Sequence, residues 1–432
     1  MSKYNNKLLR AHYAVRGLLY NRAKEIAYTR KIIYCNIGNP LIFDTKPFTM
    51  YREVLSGIQN PSIIKHLSEN SRKICYKYTE HIKDFGSYTD SKGHNYIRKN
   101  VSNYIFKRDG FESNPDNIYL TDGATSAITS ILKSIFNEND NRIMIPKPEY
   151  PLYSALCDSM GYDIVSYQLL ENKNWSIDIE RLTKNVKCMV LINPGNPTGQ
   201  VLTEQDITNI CLFCEKNHII LLADEVYQEN VFDCEFVSAK KCCSKHNLKT
   251  QLISFHSISK GFTGECGQRG GYMELYNIDD ELTSIIDKSA SMGLCANISG
   301  QVLIGLLNED KDDTYHKEYA YKYNLMKEKS SYLYNELKNI PNLTCNPPNG
   351  AMYLFPRILP TEKLINLARD SDMEVDTYYC MQLLERYGIC CVPGNGFGQK
   401  ENTFHFRITF LPSFEQMLYI SKSINALHDE IM

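Results

Sequence analysis

No stretch of this sequence approaches the eighteen or so consecutive apolar residues needed to cross a bilayer, so no membrane function is expected. An excess of either charge is also missing. The 48 Lys and Arg stand against 50 Asp and Glu, a formal net charge of -2, which argues against nucleic acid as a partner. Cys211 and Cys214 form a CxxC, but no second CxxC follows at finger or ribbon spacing, so no metal is expected. The pair falls in ITNICLFCEKN, where apolar residues recur at helical period and suit a core helix. The 15 cysteines are odd in number and irregularly spaced from Cys35 to Cys391, which excludes a disulfide framework and implies a reducing compartment. There is no apolar signal segment, no internal repeat and no low-complexity linker. Residues 1–31 carry Lys3, Lys7, Arg10, Arg16, Arg22, Lys24, Arg30 and Lys31 against Glu25 alone, the charge of an organelle presequence. The expected location is cytoplasmic, with an organelle pool left open.

What remains is the composition of an ordinary globular chain: 432 residues, 43% hydrophobic and 23% charged. That length fits two or three domains, or one large α/β core with an appendage. From Asn117 to Gly261, short apolar runs alternate with helical patterns, the habit of a mostly parallel sheet wrapped by helices. IYL (118–120) leads through a glycine turn into ATSAITSILKSIF, where Ala127, Ile128, Ile131, Leu132 and Ile135 keep helical period. RIMIPKPEYP, KCMVLINPGNPTG, HIILLADEVY and QLISFHSISKG each stop abruptly in polar groups. Each reads as a buried strand with its chemistry at the carboxyl end, where ligands of open parallel sheets bind. From about residue 315 the pattern changes to long charged helices, then GAMYLFPRI, DTYYCMQLLERYG, GICCVPG and FHFRITFL, which reads as a second, smaller α/β domain.

Lys260, read as ending its strand, offers an amine that forms Schiff bases with carbonyls. Asp224, at the end of HIILLAD, needs a cationic partner to be tolerated there, and a protonated pyridine nitrogen is one. Tyr227 follows one helical turn later, and Asn196 lies in the Pro- and Gly-dense turn Asn193–Gly199. Gly123, Ala124 and Thr125 open a helix whose N–H groups suit a phosphate, with Arg269 as the fixed cation and Ser257 and Ser259 as hydroxyl donors. Gly267, Gly270 and Gly271 are expected to allow close backbone approach, and Tyr150 to stack on a flat ring. Together they outline a site for a phosphorylated aromatic aldehyde. Gly394–Gly398 is glycine-rich but wrongly spaced for a dinucleotide and reads as a turn.

NPGNPTG, DEVY and SxSKG followed by an arginine resemble the class I aminotransferase family of fold-type I pyridoxal phosphate enzymes. HSISKGFTGECGQRGGYMEL, PEYPLYSA, GAMYLFPR and VPGNGFGQ look more narrowly like its alanine aminotransferase branch, over nearly the whole chain from YAVRG and NIG onwards. The resemblance implies a large domain, residues 46–325, with a mostly parallel seven-stranded sheet flanked by helices. It implies an N-terminal arm and small-domain segment at 1–45 and a C-terminal small α/β domain at 326–432, with the basic N-terminus part of the folded protein. It further implies pyridoxal 5'-phosphate bound through Lys260, with Asp224 on the pyridinium nitrogen and Asn196 and Tyr227 on the ring hydroxyl. Tyr150 would be the stacking ring, and Ala124, Thr125, Ser257, Ser259 and Arg269 the phosphate contacts. Arg407 would grip the substrate carboxylate, with Gly38 and Asn196 beside it, and Tyr88 would reach the phosphate of the other subunit of a homodimer. Thr125, where the family commonly has Ser, and Asn39-Pro40 after NIG depart from the pattern. The implied reaction is ping-pong transamination of L-alanine and 2-oxoglutarate to pyruvate and L-glutamate. The alternatives are a glyoxylate- or aromatic-specific relative, or a lyase of the aminocyclopropane carboxylate synthase type. A cofactor-binding regulator would need a winged helix, for which the N-terminal segment is too short.

Overall fold

The computed structural model describes residues 4–43, 45–137 and 140–432. Lys3 and Asp44, which belong to the basic stretch and to the 1–45 segment respectively, lie outside them.

Eight strands form one sheet in the order Ile118–Thr121, Gly271–Tyr276, Leu252–Ser257, Ile220–Asp224, Cys188–Ile192, Arg142–Lys147, Asp163–Leu170 and Ser176–Ile177. The five strands from Leu252–Ser257 to Asp163–Leu170 run parallel, and Gly271–Tyr276 is antiparallel to both its neighbours. The count exceeds the expected seven by the edge strand Ser176–Ile177, whose two residues are too few to show a period in the sequence. The central strands read as unbroken apolar runs because both faces are covered. Along Cys188–Ile192, for example, Met189 and Leu191 face one core cluster while Cys188, Val190 and Ile192 face another. The second cluster takes Ala127, Ile128, Ile131, Leu132 and Ile135 from the helix Ala124–Ile135. Cys211 and Cys214 lie on the helix Glu204–Lys216 and are buried in the first cluster with Cys242 and Cys243.

The C-terminal region builds a five-stranded antiparallel sheet around Phe404–Thr409, paired with Arg357–Ile358, Tyr353–Leu354 and Val392–Pro393. The N-terminal segment returns to it: Ile33–Tyr34 runs parallel to Ile389–Cys390. A single 25-residue helix, Asp313–Leu337, packs against the final helix Phe414–Ile431. Gly394–Phe397 forms a 3-10 turn. Among the described residues no helix is long and apolar enough to cross a membrane.

Candidate active site

Parallel register sets the ends of the central strands level, with Ile192 beside Asp224 and Asp224 beside Phe255. The chain then breaks into turns at the same height, and the polar groups that follow converge on one cavity of about 520 Å³. Gly38, Ala124, Thr125, Tyr150, Asn196, Asp224, Tyr227, Ser257, Ser259, Lys260, Arg269 and Arg407 all line it. Tyr88 does not; it is 79% exposed on the surface.

At one end the helix Ala124–Ile135 presents its first N–H groups, and Gly123 before it adopts φ +77°. A Cβ on Gly123 would collide with the Arg269 guanidinium, so glycine is required on both counts. Arg269 is fixed by donating from Nη2 to the Asp122 carbonyl (3.0 Å) and from Nη1 to the Cys266 carbonyl (2.9 Å), with Ser259 Oγ at 3.5 Å. Gly270 and Gly271 do allow close backbone approach, to Gly300 and Gly123, whereas Gly267 has nothing within 4 Å of a notional Cβ. Helix N–H groups and a cation in one cradle suit a dianionic phosphate.

In the middle, Asp224 is buried, accepting from the Tyr153 hydroxyl (3.0 Å) and the Val226 N–H (3.4 Å). Burial pushes its carboxyl up to about 6, against the pull of those two donors and of Lys260. Among the described residues no cation forms an ion pair with it, so its donor set suits a positively charged ring nitrogen. The turn beyond it, closed by Gln228 N–H to Glu225 O (3.0 Å) and Asn230 N–H to Tyr227 O (2.8 Å), brings Tyr227 back over the cavity. Lys260 stands three residues past the end of its strand at Ser257, not on the strand as the sequence suggests. Its Nζ donates to the Gly38 carbonyl at 2.8 Å.

At the far end the Arg407 side chain, 1% exposed, comes from the strand Phe404–Thr409 of the C-terminal antiparallel sheet. It donates from Nη1 to Asn196 Oδ1 (2.9 Å) and from Nη2 to the Asn36 carbonyl (2.5 Å), and its buried Nε has no partner. Such a guanidinium is suited to a carboxylate. Sequence reasoning left out several groups that complete the walls. Tyr353 packs its ring on Arg407, Tyr13 shares a 2.7 Å hydrogen bond with Tyr150, Tyr153 holds Asp224, and Arg16 and Cys266 line the rim. GAMYLFPR and YAVRG carry Tyr353, Tyr13 and Arg16, so the motifs were visible although their meeting point was not.

Aminotransferase class I and II is the family that matches residues 56–424. The chain belongs to the class I and II aminotransferases. A probable mitochondrial alanine aminotransferase of Dictyostelium discoideum is 39% identical over 98% of this chain and 87% of its own length. Glutamate–glyoxylate aminotransferase 2 of Arabidopsis thaliana is 38% identical over 99% of this chain and 95% of its own. An alanine aminotransferase structure from Pyrococcus furiosus superposes with a TM-score of 0.83 at 25% identity, covering 99% of this chain and 100% of that one. The aminotransferase therefore works on amino acids and oxo acids with pyridoxal 5'-phosphate as cofactor. Its cavity fits that group: a glycine-shaped anion cradle, a buried acid with no ion-pair partner among the described residues, and the Lys260 amine all line it.

Proposed function

We propose that this aminotransferase moves the amino group of L-alanine to 2-oxoglutarate, giving pyruvate and L-glutamate in ping-pong order, as a cytoplasmic homodimer. The observation that carries transamination is the convergence of the anion cradle, Asp224, Lys260 and Arg407 on one cavity. The alanine assignment is supported by the names of the Dictyostelium and Pyrococcus proteins, and glutamate with glyoxylate, the second reading, by that of the Arabidopsis protein.

When bound, the cofactor supplies a carbonyl for amine exchange and a protonated ring that accepts electrons from the substrate Cα. The Ala124 and Thr125 N–H groups, Ser257, Ser259 and Arg269 would bind its phosphate. Tyr150 would stack on the ring, and Asn196 and Tyr227 would hydrogen-bond the ring hydroxyl. Burial raises the Asp224 carboxyl to about 6, and the positive ring nitrogen would offset that burial, so Asp224 would hold the proton there. Lys260 takes the proton from the amino acid Cα and in the other half-reaction returns one to the Cα of the oxo acid. Arg407, beside Gly38 and Asn196, binds the α-carboxylate through two N–H groups. Residues 46–325 serve as the large domain, and 1–45 with 326–432 as the small one, a division supported by the pairing of Ile33–Tyr34 with Ile389–Cys390.

The test is an absorbance spectrum of the holoenzyme, repeated after L-alanine and then after 2-oxoglutarate. A visible band bleached by alanine and restored by 2-oxoglutarate is the expected result. A band that only glutamate bleaches and only glyoxylate restores selects the second reading.

A further inference from the structure

Tyr353 joins two parts of the cavity through two different contacts, one from its hydroxyl and one from its ring face. It sits on the small-domain strand Tyr353–Leu354, is 2% exposed, and accepts a 3.1 Å hydrogen bond from the Tyr227 hydroxyl of the large domain. The two rings meet edge to face, with centroids 6.0 Å apart at 80°. The opposite contact is with Arg407, whose guanidinium carbon lies 4.1 Å from the Tyr353 ring centroid. Gly38 seals the arrangement, since a Cβ there would overlap the Tyr353 hydroxyl. One phenol thus touches the tyrosine proposed for the cofactor ring with its oxygen and the arginine proposed for the substrate with its ring face.

We propose that Tyr353 is a positioning residue that fixes Tyr227 through its hydroxyl and Arg407 through its ring. The inference rests on the roles given above to those two residues. Hydroxyl and ring make separable contributions. A buried hydrogen bond in a low-dielectric site aligns and polarises the Tyr227 hydroxyl, and a desolvated cation–π contact orients the guanidinium without occupying its N–H groups. The titratable and charged groups around the phenol are Tyr227, Tyr150, Lys260, Arg407 and Cys266. Burial alone would push Tyr353 up, but Lys260 and Arg407 draw it below the ordinary phenol value, which makes it the better donor: when Tyr227 turns its single proton to the cofactor's ring oxygen, Tyr353 donates to the Tyr227 oxygen in turn.

Tyr353→Phe and Tyr353→Leu separate the two contributions. Two readouts are taken on holoenzyme without any amino donor: the pH midpoint of the visible band, and the dissociation constant of a non-reacting dicarboxylate followed by its effect on that band. For Tyr353→Phe the midpoint is expected to rise by about half a pH unit or more, because a weakened Tyr227 donor stabilises the anionic ring oxygen less. Its carboxylate affinity stays within about twofold and kcat falls roughly tenfold. For Tyr353→Leu, carboxylate binding weakens roughly tenfold, as does KM for amino acid and oxo acid alike. An unmoved midpoint in the Phe variant, or unmoved carboxylate affinity in the Leu variant, overturns the proposal. If the Leu variant fails to take up cofactor, the Phe variant alone decides, because its midpoint must move while its carboxylate affinity does not. Neither readout uses alanine, so failure of alanine as a substrate leaves the test intact.

Discussion

Asp224 occupies a position that disfavours its own charge. Its carboxyl rises to about 6 because burial outweighs the Tyr153 and Val226 hydrogen bonds. A carboxyl whose folded value is raised contributes stability that is present below its unfolded value and lost as pH rises through its folded value. The cofactor-free protein therefore loses stability between roughly pH 4 and 6, by up to about 3 kcal/mol for this group. Asp224→Asn removes that loss. Cofactor-free variant and wild type should melt alike near pH 4, with the variant the more stable at pH 7–8; a gap independent of pH rejects the assignment. Arg407 gives a prediction of the other kind. Truncating it to Ala should lower kcat/KM for amino acid and oxo acid alike by roughly a hundredfold, the size expected for a desolvated charge-assisted pair. Steady-state kinetics decide it, and an unchanged KM for both substrates removes Arg407 from carboxylate binding.

At the scale of elements, the Gly123 turn and the helix it opens act as one unit. Gly123→Ala combines an unfavourable positive φ with a clash against Arg269, a strain of about 1–3 kcal/mol. Cofactor affinity should fall roughly tenfold to a hundredfold, measured by spectroscopic titration of the cofactor-free protein. An Ala variant that binds as tightly as wild type would mean the cradle is not the phosphate site. The same strand–turn–helix unit was readable in the sequence because each part had its own local signal. Continuous apolar runs marked strands buried on both faces, Gly123 marked the turn, and the period of Ala127 to Ile135 marked the helix. Two-residue strands such as Ser176–Ile177 carry no such period. The offset of Lys260 beyond Ser257 was hidden because SIS continues the apolar alternation of the strand before it. Tyr353 and Arg16 were hidden for another reason: their place at the cavity depends on packing between segments more than a hundred residues apart, which no local pattern encodes.

At the scale of the whole molecule, the question is whether one chain makes a complete site. Tyr88, the residue the family likeness assigns to the phosphate, lies outside the cavity of its own chain and is 79% exposed. If it serves the second subunit of a dimer, a site is built from the Lys260 of one chain and the Tyr88 of the other. Mixed dimers test this directly. Tyr88→Phe alone should weaken cofactor binding roughly three- to tenfold, the loss of one hydrogen bond to a charged group, and Lys260→Ala alone should be inactive. In a heterodimer of the two variants acting in trans, one site carries both substitutions and the other carries neither. That second site should titrate with cofactor at wild-type affinity and turn over normally, so the isolated heterodimer shows about half the wild-type activity at limiting cofactor, although each parent protein is impaired. If Tyr88 acted within its own chain, or not at all on the phosphate, every Lys260-bearing subunit would keep the affinity of the Tyr88→Phe homodimer, and mixing would restore nothing.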